Sequence, residues 1–138
     1  MPQISVLYVE DHDLVLYTVK QLLELEDWKV EVCRDGEEAL RRIAGPEHYD
    51  LLILEAELPA GKGLDLLRRA RAFAHRRSTP IIVFTAHDCS AEATQAGADA
   101  WLKKPTGLKD LLDTCYRVLK HSRDAGEHSA DEAGDGPD

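Results

Sequence analysis

Hydrophobic and polar positions divide the chain into two alternating kinds of segment. The first kind is a short, almost wholly apolar run rich in β-branched residues, which is typical of a strand buried on both faces of a parallel sheet. Such runs occur at Ile4–Val9, Val30–Cys33, Leu51–Leu54, Ile81–Phe84 and Trp101–Leu102. We therefore predict five parallel strands.

The second kind of segment carries apolar residues three and four positions apart, the spacing of one helix face. The last of these segments is the clearest, with Leu108, Leu111, Leu112, Cys115, Val118 and Leu119. Asp35 and Glu38 have the spacing of a capping box at the start of the second helix. Five strand–helix repeats predict an α/β fold of the (βα)5 type: a doubly wound, five-stranded parallel sheet with helices on both faces.

The fourth helix is expected to be short. It must fit between Asp88 and Gly97, where Ala91, Ala93 and Ala96 provide the apolar side. Few apolar contacts over so few residues leave a helix weakly supported. We predict a shortened fourth helix, and the oligomeric state is left open.

The charge of the chain is acidic and unevenly distributed. Of the net charge of −9, residues 122–138 supply −5, with six acids and one arginine, and they lack apolar periodicity. We predict a folded domain over residues 1–121 and a disordered acidic tail over residues 122–138. The basic cluster at residues 68–77 is interpreted as the solvated side of a helix, so no nucleic-acid partner is expected.

Targeting signals and cysteine spacing indicate the cellular compartment of the protein. The N-terminus has no basic-plus-apolar leader, and no apolar run approaches the ~18 residues of a membrane span. The three cysteines have neither metal-binding nor redox spacing, which favours free thiols in a reducing compartment. We expect a cytoplasmic protein with no membrane partner.

Chemistry-bearing residues stand directly after four of the predicted strands, where parallel sheets bind their ligands. Glu10 and Asp11 follow the first strand, Glu55 the third, Thr85 the fourth, and Lys104 follows the fifth. Clustered carboxylates resist ionisation unless a cation neutralises them. Lys104 and a hard divalent ion such as Mg²⁺ both suit that role.

Five motifs give the chain a family resemblance. They are VLYVED (6–11), RDGEEAL (34–40), YDLLILEAELPAGKGL (49–64), IIVFTA (81–86) and GADAWLKKP (97–105). Over about residues 3–121 the chain resembles the receiver domain of bacterial two-component response regulators, which has a flavodoxin/CheY-like fold. A flavin or dinucleotide carrier would instead need a phosphate-binding loop after the first strand, where this chain has EDHDL.

The resemblance implies roles for the residues at the strand ends. Asp11, with Glu10, matches the acidic pair that holds Mg²⁺. Glu55 occupies the position of the aspartate that accepts a phosphoryl group from a kinase histidine. Thr85 and Lys104 match the hydroxyl and the ammonium that contact that group.

Two further positions follow from the resemblance. The backbone carbonyl of Glu57 matches a metal ligand, so the implied set for a weakly bound Mg²⁺ is Glu10, Asp11, Glu55 and Glu57. Trp101 stands where the family keeps a switch tyrosine or phenylalanine. Trp is larger than either, and close-packed interiors admit extra volume only with rearrangement. We therefore predict that Trp101 is substantially solvent-exposed and anchors a partner protein.

Glu55 departs from the family pattern. Its carboxylate lies one methylene, roughly 1.5 Å, farther out than that of aspartate. Phosphoryl transfer depends on in-line positioning, and a displacement near 1 Å costs on the order of a hundredfold in rate. We therefore predict an atypical receiver that works independently of phosphorylation.

The predicted function is accordingly that of a stand-alone receiver in phosphorelay signal transduction. It is not an enzyme and acts through contacts with a histidine kinase or a downstream signalling protein. Two alternatives remain open: a working phosphoacceptor that uses Glu55, and a Mg²⁺-dependent phosphohydrolase with a carboxylate nucleophile.

Overall fold

The computed structural model describes residues 3–59 and 62–122, so the predicted tail lies outside the described residues except for residue 122. Five parallel strands form one sheet in the order β2-β1-β3-β4-β5. The strands are β1 Ser5–Val9, β2 Lys29–Cys33, β3 Leu51–Leu54, β4 Ile81–Thr85 and β5 Ala100–Lys103. The predicted fold class is confirmed.

Five helices alternate with the strands. They are α1 Asp13–Glu24, α2 Gly36–Ala44, α3 Lys62–Ala72, α4 Ser90–Ala96 and α5, residues 111–122. Two 3₁₀ turns, Ala74–Arg76 and Thr106–Asp110, precede β4 and α5. No helix within the described ranges is long and apolar enough to cross a membrane.

The core has two layers, one on each face of the sheet. One layer joins the sheet to the apolar sides of α2, α3 and α4, and the other joins it to those of α1 and α5. Every residue of β3 and β4 is buried. The near-continuous apolar runs of these two strands follow from burial on both faces.

Helix ends follow local chemistry. The Asp35 side chain accepts a hydrogen bond from the Glu38 backbone N–H at 2.8 Å, which confirms the cap of α2. Helix α4 has only seven residues, as predicted, and ends at Gly97 in the left-handed region with φ 109°. The apolar pattern begins at Leu108, but α5 begins at residue 111 because the Leu108 N–H bonds to the Pro105 carbonyl in a 3₁₀ turn.

The register of the sheet brings the strand ends to one edge. Val9 lies opposite Leu54 and Leu54 opposite Val83. Glu10 and Glu55 therefore leave neighbouring strands at the same level, and Lys104 follows the edge strand beside β4. We call this the carboxyl edge, and the opposite end of the sheet the amino edge.

Candidate functional site

Lys104 lies between two buried glutamates at the carboxyl edge. Its Nζ donates hydrogen bonds to Glu10 Oε1 at 2.5 Å and to Glu55 Oε1 at 2.6 Å. The Lys104 side chain is 12% exposed and those of Glu10 and Glu55 are 1% and 7% exposed. The Lys104 backbone N–H bonds to the Thr85 carbonyl at 2.8 Å, which fixes the lysine beside β4. The structure thus brings together Glu10, Glu55 and Lys104 of the predicted cluster.

The remaining carboxylate oxygens are also engaged within the protein. Glu55 Oε2 accepts a hydrogen bond from the Glu57 backbone N–H at 2.8 Å. Glu10 Oε2 accepts one from the His12 backbone N–H at 3.1 Å, and the Tyr8 hydroxyl donates to Glu10 Oε1 at 3.3 Å. Each of the four oxygens therefore has an internal donor. The sequence reasoning missed Tyr8, although its polar tip in a buried strand requires a partner.

Burial and charge act in opposite directions on the pKa of Lys104. Burial alone lowers it, but hydrogen bonds to Glu10 and Glu55, with the charges of both acids, outweigh burial and raise the pKa above its ordinary value. Burial and the neighbouring Glu10 carboxylate raise the pKa of Tyr8. The lysine therefore stays charged and the tyrosine neutral across the physiological range.

The Thr85 hydroxyl, at the end of β4, differs from the other polar groups at this edge in its hydrogen bonding. The residue is fully buried, yet its Oγ1 has no hydrogen-bond partner among the described residues. Buried hydroxyls are nearly always paired, because an unmade hydrogen bond is costly. In the described part of the chain the Glu55 carboxylate bonds to Lys104 and the Glu57 N–H and not to the Thr85 hydroxyl.

Trp101 differs from its prediction. It is only partly exposed and packs against the core layer that contains α2, α3 and α4. Its Nε1 is buried and makes no hydrogen bond of ordinary geometry within residues 3–59 and 62–122. The prediction of a substantially exposed indole is wrong, because the ring covers apolar side chains that the short α4 leaves open. Its role as a partner anchor stays a prediction.

Of the predicted metal ligands, Glu10 and Glu55 lie side by side at Lys104. Asp11 is exposed and takes part in no ion pair among the described residues. The Glu57 side chain points to His87, whose Nδ1 lies 2.6 Å from Glu57 Oε2. Glu10 and Glu55 are bonded to Lys104, and the described ranges hold no group of three His, Cys, Asp or Glu side chains arranged to hold a metal. The implied ligand from Glu57 is its backbone carbonyl, which these side-chain contacts do not involve, so the magnesium set stays a prediction.

Comparison with known proteins agrees with the geometry. The family model described as the response regulator receiver domain matches residues 6–116. The transcriptional regulatory protein TrcR of Mycobacterium tuberculosis is 36% identical over 94% of this chain and 50% of its own length. The response regulator MprA of Mycobacterium ulcerans is 32% identical over 93% of this chain and 55% of its own length. The chain thus spans about half the length of these curated relatives.

Solved structures give the same result. A CheY-like response regulator receiver domain protein from Methanospirillum hungatei is 28% identical, with a TM-score of 0.82 over 90% of this chain and 99% of that one. The receiver domain of the sensor histidine kinase PA1611 from Pseudomonas aeruginosa is 27% identical, with a TM-score of 0.78 over 86% of this chain and 99% of that one. The latter contains a magnesium ion coordinated in its active site cleft.

Proposed function

Since the chain belongs to the response regulator receiver domain family of two-component signalling, we propose that it signals without a phosphoryl group on residue 55. The proposal rests on the hydrogen bonds that the two carboxylate oxygens of Glu55 accept. One oxygen accepts from the Lys104 ammonium and the other from the Glu57 N–H. These are donors that a phosphoryl group on residue 55 would need to offset its charge.

The Glu55 carboxylate is proposed to act as a partial mimic of a phosphoryl group. Glu55 places about one negative charge at the donors, where a phosphorylated residue carries nearly two. The Thr85 hydroxyl has no partner among residues 3–59 and 62–122. Glu55 therefore imitates the contacts of a phosphoryl group with the ammonium and the amide, and not with the hydroxyl.

The output of this domain is proposed to be a protein contact. We propose a histidine kinase or a downstream signalling protein as the partner, no enzymatic activity, and a cytoplasmic location. The expectation that nucleic acid is not a partner gains no support from the comparisons, because one relative is named a transcriptional regulatory protein. It stays a prediction about this stretch of chain alone.

Magnesium is proposed to bind this chain only weakly. When bound, the ion would supply positive charge at the acidic edge. It would have to compete with the Lys104 ammonium for Glu55, and Asp11 would have to turn toward it from its exposed position. Titration with magnesium alone, followed by amide chemical shifts, should give a weak signal that Asp11→Asn abolishes. Tight, saturable binding that survives Asp11→Asn would contradict this proposal.

Intact-mass analysis tests the absence of phosphorylation. Wild-type protein incubated with Mg²⁺ and a small phosphodonor should gain no phosphoryl mass, and Glu55→Gln, with the same length and no nucleophile, is the matched control. A stoichiometric gain in the wild type that vanishes in Glu55→Gln would establish the alternative of a working phosphoacceptor. Steady turnover of a generic phosphate ester that depends on Glu55 would establish the phosphohydrolase alternative.

A further inference from the structure

Tyr8 connects the core of the protein to the Lys104 cluster. Its side chain is fully buried and belongs to the core layer that contains α1 and α5. Its hydroxyl donates a hydrogen bond to Glu10 Oε1 at 3.3 Å, and the same oxygen accepts a hydrogen bond from Lys104 Nζ at 2.5 Å. Tyr8 and Lys104 are therefore linked through one oxygen of Glu10.

The Glu10 carboxyl group is oriented by its hydrogen-bond donors. The terminal torsion of a glutamate side chain is broad, so the donors around a buried carboxyl group set the direction of its two oxygens. Glu10 Oε2 accepts from the His12 N–H at 3.1 Å, and Oε1 accepts from Lys104 and Tyr8. His12 and Lys104 follow the ends of β1 and β5, whereas Tyr8 lies within β1. Tyr8 is thus the donor that belongs to the sheet itself.

The position of Lys104 depends on the orientation of Glu10. Among the described side chains, the Lys104 ammonium donates to Glu10 and Glu55, and it lies 5.4 Å from the centre of the Phe84 ring. The face of an aromatic ring attracts a cation but provides no directed acceptor. A rotation of the Glu10 carboxyl group would therefore remove one acceptor and weaken the hold on the ammonium that Glu55 also contacts.

We propose that Tyr8 is a positioning residue, whose hydroxyl fixes the Glu10 carboxyl group so that Glu10 holds the Lys104 ammonium beside Glu55. The inference rests on the role proposed for Glu55, because it concerns the ammonium from which Glu55 accepts a hydrogen bond. Tyr8 acts through Glu10 and does not contact residue 55 by a hydrogen bond within the described ranges. The core layer of α1 and α5 thereby influences how firmly the carboxyl edge holds its cation.

A second cluster of a tyrosine, two glutamates and a cation provides a matched control. Tyr49 is buried, and its hydroxyl donates to Glu31 Oε2 at 2.7 Å. Arg42 donates to the same oxygen at 2.8 Å and to Glu38 Oε1 at 3.3 Å. This cluster shares no residue with the Lys104 cluster. Tyr49→Phe therefore removes a comparable hydroxyl, and a shorter hydrogen bond, while the contacts of Lys104 remain.

NMR spectra of the Lys104 ammonium test the proposal in protein without metal or phosphodonor. In Tyr8→Phe the Lys104 Nζ protons should exchange with water about threefold faster than in the wild type, as expected for the loss of one weak hydrogen bond. The carboxyl ¹³C signal of the Glu55 side chain should also shift. Tyr49→Phe should change neither signal.

A double-mutant cycle determines whether Tyr8 acts through Glu10. Glu10→Met keeps an unbranched side chain of similar length and removes the acceptor, so in this background Tyr8→Phe should no longer change the exchange at Lys104. The proposal is overturned if Tyr8→Phe leaves this exchange unchanged or slows it, if Tyr49→Phe has the same effect, or if the effect persists in Glu10→Met. Phosphoryl uptake by the wild type would overturn the role of Glu55 alone, because these spectra are recorded without a phosphodonor.

Discussion

The two edges of the sheet each hold a buried cation, and the two cations have different kinds of partner. At the carboxyl edge, Lys104 bonds to two carboxylates. At the amino edge, Arg76 is 2% exposed and bonds to backbone carbonyls of Arg42, Ile43, Gly45 and Glu47. Lys104 therefore interacts with acidic side chains, whereas Arg76 donates hydrogen bonds to uncharged backbone carbonyls.

The difference separates a fixed end of the molecule from an adjustable one. Arg76 satisfies carbonyls at the end of α2 that the helix itself leaves open, and its guanidinium lies 5.0 Å from the centre of the Tyr49 ring. In the Lys104 cluster two carboxyl groups share one ammonium, and the buried Thr85 hydroxyl has no partner within the described ranges. Binding of a proton or a cation, or replacement of one side chain by a shorter one, would change the hydrogen bonds and the charge of this cluster. The amino edge therefore provides rigidity, and the carboxyl edge provides the signalling site.

Loss of Arg76 should have the largest effect on stability. Arg76→Ala removes the Arg76 donor from the Ile43 and Glu47 carbonyls and opens a cavity, whereas the Gly45 and Arg42 carbonyls keep bonds from His75 and the Gly45 N–H. We therefore expect a loss of about 4 kcal/mol in the free energy of unfolding. Urea denaturation measures it. Arg77→Ala is the matched control and should change this free energy by less than about 0.5 kcal/mol, because Arg77 is exposed. A loss below about 1 kcal/mol for Arg76→Ala would show that Arg76 does not make the amino edge a rigid part of the molecule.

Loss of Lys104 should have a smaller effect that depends on solution conditions. Lys104→Ala leaves two buried carboxylates uncompensated, which we expect to lower the free energy of unfolding by about 3 kcal/mol at pH 7. Added Mg²⁺ should restore part of this loss, since the ammonium no longer competes for Glu55, and should not rescue Arg76→Ala. Equal responses of both variants to Mg²⁺ would show that the two edges do not differ as described.

Asp50, at the amino edge, should make stability depend on pH in acid. Burial raises the pKa of Asp50, but hydrogen bonds from the Ser5 N–H and from His48 outweigh burial and lower it overall. The stabilisation is therefore complete above the ordinary aspartate pKa of about 3.9, and it is lost as pH falls through the lower pKa of Asp50 in the folded protein. Asp50→Asn should be about 1.5 kcal/mol less stable at pH 7, a difference that shrinks below about pH 4 in thermal melts. A difference independent of pH would exclude the charge of Asp50 as its cause.

Thr85→Val should have the smallest effect, and one of opposite sign. It keeps the shape of the side chain and removes a buried hydroxyl that has no partner, so we expect a gain of about 1 kcal/mol. Chemical denaturation at neutral pH measures this gain, with Thr114→Val as a control at a second buried threonine. A clear loss of stability in Thr85→Val alone would show that the hydroxyl is satisfied in solution.

The carboxyl edge was largely predictable from the sequence, because parallel strands bring their ends together. The proximity of Lys104 to Glu10 and Glu55 follows from that rule. The internal donors of the carboxylate oxygens were not predictable, since pattern alone does not reveal that the ammonium and backbone amides bond to them. The exposure of Trp101 was misjudged because a single sequence does not show how much apolar surface a short α4 leaves uncovered.

The amino edge was less predictable. The basic cluster at 68–77 was interpreted as a solvated helix face, yet Arg76 is buried and Arg71 is half-buried. Helix α3 ends at Ala72, and the 3₁₀ turn Ala74–Arg76 breaks the helical period and directs Arg76 inward. Arg71 bonds to the Gly97 and Thr79 carbonyls. Such backbone acceptors leave no signal in a hydrophobic pattern.

The length of Glu55 should keep a phosphoryl group off this site, and intact-mass analysis of Glu55→Asp beside the wild type can decide this. The shorter side chain withdraws the carboxylate from the Glu57 N–H and frees that donor and Lys104 for a phosphoryl group. With Mg²⁺ and a small phosphodonor, Glu55→Asp should gain one phosphoryl mass and the wild type none. Equal phosphorylation of both proteins, or of neither, would contradict it.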